Sequence, residues 1–337
     1  MKAIILSRTD SIEKHPLQMQ EIATPTPGPG EILLKVSACG VCRSNLHMIE
    51  GEWVPNGVPA KLPIVPGHEI VGRVSAIGEG VVSFKKGDRA GIQPLWSTCG
   101  RCEYCLTGRE QLCQTKQITG ETVDGGYAEY VLAKAEHTYP VPESLADAEA
   151  APLFCPGITA YNAVSKARLA PGKKIVLFGM GGVGHLVLQF AKLHGAEVIV
   201  VSRGSHHLKL AEELGASRTI DASRVDPVEA IKLSGGADAA IVFAPSSAFV
   251  RQAISAIKSG GIVVLGVFAE IGPLPFVEEK TVMGSLLGSR QQMLEVLQLA
   301  AAGKIRPVCE VFPLEQAEGA LLRLKRGEFK ARAVLVP

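Results

Sequence analysis

Four cysteines, Cys99, Cys102, Cys105 and Cys113, fall within fifteen residues in the spacing C-x2-C-x2-C-x7-C. Thiolates so spaced can close a tetrahedral all-cysteine shell around zinc, and a closed shell leaves no position for water or substrate. The cluster is therefore read as structural, with a pair of disulfides as the rival in an oxidising compartment. A metal that does chemistry needs an open position. Three stretches outside this lobe offer donors: CGVCRSNLH with Cys42, VPGHEIVG with His68 and Glu69, and APLFCPGITAY with Cys155. Taken singly each is unremarkable, since a lone cysteine is more often a small core residue. No spacing rule links positions 42, 68 and 155.

A second constellation is made of glycines. VLFGMGGVGHLVLQFA sets Gly179, Gly181, Gly182, Val183 and Gly184 between an apolar run and an amphipathic one. Glycines there let the backbone turn tightly and approach a pyrophosphate, whose charge is favoured by the helix N-terminus. Alone the pattern is weak, but strand, loop, helix and second strand arrive in the order a dinucleotide site requires. The second strand ends VIVVSRGS, with Ser202, Arg203 and Ser205 where NAD sites usually carry a carboxylate for the ribose 2′-OH. An arginine and two hydroxyls suit a 2′-phosphate, so NADP is expected ahead of NAD; an Arg203 that merely faces solvent is the bland alternative.

The elements that must hold these groups are legible in outline. Residues 1 to about 150 read as β-rich, with EILLKVSACG, HEIVGRVSAIG and GGYAEYVLA broken by Gly and Pro. From about Pro171, KKIVLFG, AEVIVVS, SRTIDAS, ADAAIVFAP and GGIVVLGVF are compact apolar runs of the kind buried on both faces. VGHLVLQFAKLHG and HHLKLAEELGA separate the first three as helices ending at glycines, which predicts a parallel sheet with crossover helices. RQQMLEVLQLAAAGKI reads as a further helix and ARAVLVP as a closing strand. His185, His194, His206 and His207 are read as helix-surface or first-turn residues without a role.

The bulk properties exclude several classes. A chain of 337 residues suggests about two domains. A net charge of +2 without a long basic run argues against nucleic acid or an anionic membrane as partner. No apolar stretch approaches the roughly 20 residues of a membrane span, and the opening apolar run is too short for a signal peptide. A reducing, cytoplasmic setting is expected, where clustered cysteines mean metal before disulfide.

GHEIVGRVSAIG fits the G-H-E-x2-G-x5-G pattern and resembles the zinc-containing alcohol dehydrogenases of the medium-chain dehydrogenase/reductase family. GVCRSNLH, the four-cysteine lobe, GGYAEYV, LFCPGITAY, GMGGVG and GSLLGSRQQM look like family segments in family order, over nearly the whole chain. The resemblance implies an α/β architecture in which a GroES-like β-rich catalytic domain, residues 1–156 and 284–337, is interrupted by a Rossmann doubly wound parallel-sheet domain, residues 157–283. The zinc lobe would span about 95–115.

The resemblance further implies roles. Cys42, His68 and Cys155 would bind a catalytic zinc, Glu69 would be the carboxylate that can reach it, and Ser44 and His47 would relay the alcohol proton to solvent. Arg43 and Arg332 would hold the cofactor pyrophosphate, and Trp53, Leu95 and Trp96 would line an apolar substrate pocket. Asn45 departs from the pattern. The family usually has Asp there, orienting the zinc-bound histidine, and the loss of its charge is expected to leave His68 less basic and tune the zinc.

The function implied is reversible hydride transfer between a hydrophobic alcohol, activated as alkoxide on zinc, and a nicotinamide cofactor. Its partners would be a small alcohol or aldehyde and, by family habit, a second copy of the chain in a dimer or tetramer. A polyol or sugar dehydrogenase of the same fold is the runner-up; those relatives usually place a carboxylate where Cys155 stands. A zinc-free quinone or enoyl reductase would lack both metal sites. A non-catalytic dinucleotide-binding protein would keep structural zinc only, leaving the open-site donors idle.

Overall fold

Ile175, Val176, Leu177 and Phe178 are all fully buried, as expected of a strand covered on both faces. A computed structural model describes residues 1–337. The chain divides into two units: 1–155, 289–301 and 309–337 in the first, and 156–288 with 302–308 in the second.

In the second unit, strands Lys174–Phe178, Glu197–Ser202, Arg218–Asp221, Ala237–Val242, Ile257–Leu265 and Thr281–Gly284 form one sheet. Numbered along the chain their spatial order is third, second, first, fourth, fifth, sixth, and every pair is parallel. That order places a switch point beside the first and fourth strands, outside whose carboxyl ends open α/β sheets bind ligands. Helices Gly184–Leu193 and Ser205–Glu213 stop just before Gly195 and Gly215, at φ 70° and 80°, where the left-handed backbone suits glycine. Helices Pro227–Lys232 and Ser247–Ala256 complete the later crossovers, and Phe249, Val250, Ala253 and Ile254 of the latter pack on Phe178, Val201 and Val263. The sixth strand, Thr281–Gly284, is an addition to the sequence expectation.

In the first unit the sheet runs Cys309–Pro313, Arg332–Val336, Glu31–Gly40, Ile70–Ile77, Arg89–Ile92, Thr138–Pro140, with Tyr130–Lys134 also paired to Glu31–Gly40. The closing run ARAVLVP is therefore a strand, antiparallel to Glu31–Gly40 through Val334 opposite Gly40 and Leu335 opposite Cys39. Strands Glu31–Gly40 and Ile70–Ile77 are antiparallel, with Cys39 opposite Ile70. This register decides where the site lies, because it brings Cys42 and His68 to one end of the sheet. No helix is long and apolar enough to cross a membrane.

Candidate functional site

The donors hang from adjacent strand ends. Cys42 follows strand Glu31–Gly40 and caps helix Arg43–Ile49, while His68 and Glu69 immediately precede strand Ile70–Ile77. Gly40 N donates to Glu69 O at 2.8 Å, and a Cβ on Gly40 would stand 1.9 Å from Glu69 Oε2. The glycine is what lets the carboxylate lie across the strand. Cys155 follows the 3-10 turn Ala151–Phe154, whose buried Phe154 ring occupies the space a Cβ on Gly91 would need. Arg332 opens strand Arg332–Val336, and Val41 N donates to Ala333 O at 2.9 Å. Spacing could not link these residues, but sheet register does.

The ligand atoms of Cys42, His68, Glu69 and Cys155 lie within 4.8 Å of one another, all buried. The sulfurs of Cys42 and Cys155 are 3.9 Å apart. Two thiolates about 2.3 Å from one tetrahedral zinc would be about 3.8 Å apart, so the spacing matches. His68 Nε2 is buried without a hydrogen-bond partner, an arrangement that costs about 1–3 kcal/mol unless something takes its lone pair. Fully ionised, the two thiols and the Glu69 carboxyl would carry three negative charges; Arg332 returns one, and a divalent cation would balance the rest. Donor chemistry, separation and charge all fit zinc.

Burial and charge act in opposition here. The hydrogen bond shared with Cys155 holds the Cys42 thiol well below its usual range despite burial, with His68 helping. The same bond, with burial, pushes Cys155 up. Burial disfavours the charged His68 ring, but the Cys42 thiolate outweighs it and lifts the imidazole to about 9. Burial raises Glu69 to about 7 against the pull of Arg332, with which it is ion-paired. Burial likewise raises Glu121 to about 7 against the pull of His68.

The remaining site residues are placed as follows. Ser44 Oγ is 3.5 Å from Cys42 Sγ, and His47 lies one turn further along the same helix. His47 Nδ1 is 2.7 Å from Glu52 Oε2, and its ring is 5.6 Å from that of Trp53. Arg43 Nη2 donates to Leu324 O at 2.9 Å. Arg332 is only 4% exposed and engaged by Glu69. Asn45 is fully buried between His68 and Tyr127. Leu95 is fully buried, and Trp96 packs on strand Tyr130–Lys134, its Nε1 donating to Leu132 O at 3.4 Å and its ring under Lys134 Nζ at 4.9 Å. Sequence reasoning missed Glu52, Tyr127 and Glu121. Glu52 carried a faint signal, a carboxylate five residues after His47; the other two carried none.

The four-cysteine lobe is assembled, with its sulfurs within 4.8 Å of one another. All eight cysteines are free of disulfides. Backbone N–H groups point at the sulfurs: Cys102 N donates to Cys99 Sγ at 3.3 Å and Cys99 N to Cys113 Sγ at 3.5 Å. Burial works against the Cys113 thiolate, yet the N–H of Cys99 helps hold it down to about 6. Such N–H···S bonds favour the thiolates a metal needs.

In the second unit Gly179 sits at φ 100°, and a Cβ on Gly184 would lie 2.0 Å from Gly179 O, so the turn closes only with glycine at both positions. A Cβ on Gly181 would meet nothing within 4 Å, so that face of the turn is open. Helix Gly184–Leu193 begins at Val183 without a side-chain cap, and the N–H groups of His185 and Leu186 donate to the turn itself, at Gly181 O and Val183 O. Ser202 is buried at the strand end and its Oγ accepts from Gly204 N at 3.4 Å. Arg203 and Ser205 are exposed, and Arg203 lies over the Phe249 ring at 5.4 Å. His185, expected at a helix surface or first turn, is in the first turn but fully buried; its Nε2 accepts from Val308 N at 3.2 Å.

Comparison with known proteins agrees with this architecture. Residues 28–143 match the family described as Alcohol dehydrogenase GroES-like domain, and 182–302 the one described as Zinc-binding dehydrogenase. An alcohol dehydrogenase of Geobacillus stearothermophilus is 40% identical over 99% of both chains. The crystal structure of the alcohol dehydrogenase from the archaeon Aeropyrum pernix superposes with a TM-score of 0.92 at 32% identity, over all of both chains. A cobalt- and zinc-bound thermostable alcohol dehydrogenase from Pyrobaculum aerophilum superposes with a TM-score of 0.89 at 30% identity, over 100% of this chain and 99% of that one.

Proposed function

This chain belongs to the zinc-type alcohol dehydrogenases of the medium-chain dehydrogenase/reductase family and is an NAD(P)-dependent oxidoreductase; on that premise we propose that it interconverts hydrophobic alcohols and their aldehydes or ketones, with NADP favoured over NAD. The observation that carries the reading is the buried cluster of Cys42, His68 and Cys155, whose one imidazole nitrogen has no hydrogen-bond partner.

In this reading Cys42, His68 and Cys155 hold a catalytic zinc, and the four lobe cysteines hold a structural one. The catalytic zinc supplies Lewis acidity toward the substrate oxygen, and the nicotinamide supplies the hydride acceptor. Ser44 Oγ, beside Cys42, accepts the hydroxyl proton as it releases its own toward His47. His47, one turn along the same helix, passes it outward, with Glu52 fixing the ring through Nδ1. Glu69 and Arg332 form a buried charged pair that keeps a carboxylate close to the donors. Trp53, Leu95 and Trp96 give the substrate pocket its apolar bulk. The glycine turn 179–184 receives the pyrophosphate, and Ser202, Arg203 and Ser205 receive the 2′-phosphate.

The test is a panel of primary, secondary and benzylic alcohols and polyols, assayed by initial rate with NAD and NADP, on protein of measured zinc content. Two zincs per chain and turnover of simple hydrophobic alcohols, faster with NADP, is the expected outcome. Faster turnover with NAD would overturn the 2′-phosphate assignment alone. Turnover confined to polyols would favour the sugar-type reading, and no turnover by fully loaded protein would overturn the proposal.

A further inference from the structure

We propose that Glu121 is the carboxylate that orients the metal ligand His68, taking over at a distant position the task that Asn45 lacks the charge to perform. The inference rests on the reading that Cys42, His68 and Cys155 hold the catalytic zinc.

A histidine that gives its Nε2 lone pair to a metal carries its proton on Nδ1, and that N–H needs an acceptor. Two side chains approach Nδ1 of His68. Asn45 Nδ2 lies 3.4 Å from it, while Asn45 Oδ1 accepts from Tyr127 Oη at 3.3 Å. Asn45 thus presents a donor to a donor. Turning its amide would supply an acceptor to His68 but leave the fully buried Tyr127 hydroxyl proton without one. An asparagine here can accept from the histidine or from the tyrosine, but not from both.

Glu121 has no such conflict, because an ionised carboxylate only accepts. Its Oε1 lies 3.6 Å from His68 Nδ1, within ion-pair reach. Its side chain is only 11% exposed, and His68 is the cationic partner it meets. A carboxylate taken so far out of water is costly unless something compensates it. His68 is that compensation.

The carboxylate is also firmly placed. Glu121 sits in a turn in which Gly120 N donates to Val123 O at 2.8 Å and Glu121 N to Ile118 O at 3.2 Å, while Ala60 N donates to Glu121 O at 3.0 Å. The turn is pressed against the backbone that carries His68. A Cβ on Gly120 would stand 2.7 Å from Gly67 N, and one on Gly125 would stand 2.0 Å from Gly67 O. Gly126 N donates to Gly67 O at 3.0 Å. Side chain and ligand therefore share one close-packed backbone junction, as a positioning residue requires.

The experiment uses the full chain loaded with zinc and three variants: Glu121→Gln, Asn45→Asp, and the two combined. Zinc affinity is read by competition with a chromophoric chelator, with the four-cysteine lobe as internal control, and ligand geometry by the visible spectrum of the cobalt-substituted site. Glu121→Gln is expected to weaken the His68 site by about 10- to 100-fold and shift its cobalt spectrum, leaving the lobe unchanged. Asn45→Asp alone brings little gain, but in the Glu121→Gln chain it restores affinity and spectrum. If Glu121→Gln does not fold, Glu121→Asp, which keeps the charge but shortens the reach, serves in the same comparison.

Wild-type affinity in Glu121→Gln would overturn the inference. So would a loss that Asn45→Asp does not rescue, since Glu121 would then only be supporting its turn. A wild-type chain that binds a single zinc would overturn the catalytic-metal reading itself, and is distinguished by the metal count before any variant is made.

Discussion

Glu69 and Arg332, 263 residues apart in the chain, form an ion pair in which neither side chain is more than 4% exposed. Removing one partner of such a pair strands a charge in the interior, at a cost of about 3–5 kcal/mol, whereas removing both can be nearly neutral. Arg332→Met is therefore expected to destabilise the metal-loaded protein by about that amount. Adding Glu69→Gln should recover most of it. Urea unfolding of the three proteins checks this, and equal midpoints for the single and double variants would refute the coupling.

Cofactor choice should depend on the end of strand Glu197–Ser202. Arg203 is exposed and lies over the Phe249 ring. Charge-assisted hydrogen bonds are worth about 1.5–3 kcal/mol, so Arg203→Gln should lower kcat/KM for NADP by about 10- to 100-fold and leave NAD unchanged. Ser202→Asp should raise NAD preference by offering a carboxylate to the ribose and repelling a 2′-phosphate. Parallel initial-rate measurements with the two cofactors decide; equal losses for both would place Arg203 outside the 2′-phosphate site.

The four-cysteine lobe should separate stability from chemistry. Cys113→Ser removes one of its donors, and a structural zinc site can contribute on the order of 10 kcal/mol to folding. One zinc per chain should be lost and the melting temperature should fall by about 10 °C or more. Turnover per folded molecule at low temperature should persist. Metal analysis, thermal melts and assays well below the new midpoint check the three parts.

His137 should make stability pH-dependent. It is 3% exposed, with Thr98 Oγ1 3.3 Å from Nε2. Burial, aided by the Arg290 charge, holds its imidazole down to about 4. The unfolded chain takes up this proton near the usual value of about 6.5, before the native state does. Stability is thus fully present above about pH 6.5 and drains away between there and about 4, by on the order of 3 kcal/mol in all. In His137→Gln the difference between urea midpoints at pH 7 and pH 5 should shrink; an unchanged difference would show that other groups set the slope.

What the sequence made legible follows the range of the interaction. The cysteine lobe and the glycine turn are local, so type and spacing specify them. Helix Pro227–Lys232 left a readable mark, Asp226 before Pro227, whose carboxylate accepts from Val228 N at 2.7 Å, yet at six residues it is too short for periodicity to reveal. Strand Thr281–Gly284 is only four residues long and half-exposed, so no apolar run announces it. The donors Cys42, His68 and Cys155 were joined by resemblance, and physically they are joined by the pairing of Cys39 with Ile70 and the seating of Phe154 over Gly91. Glu121 escaped notice because its role arises from backbone packing against Gly67, which leaves no pattern along the chain.

The pairing of strand Arg332–Val336 with Glu31–Gly40 can form only once the last residues of the chain have been made. A chain that has emerged through Cys155 already carries every sulfur and imidazole donor of both clusters. It does not yet carry the counter-charge for Glu69, and the central strand still lacks its neighbour on that side. On the proposed reading, the cysteine lobe would close around its metal with donors that all lie between Cys99 and Cys113. The His68 cluster would gain its Arg332 counter-charge only after the whole parallel-sheet unit has been made and the last strand has docked. On the proposed reading, metal uptake would fall into two stages, early at one cluster and post-translational at the other.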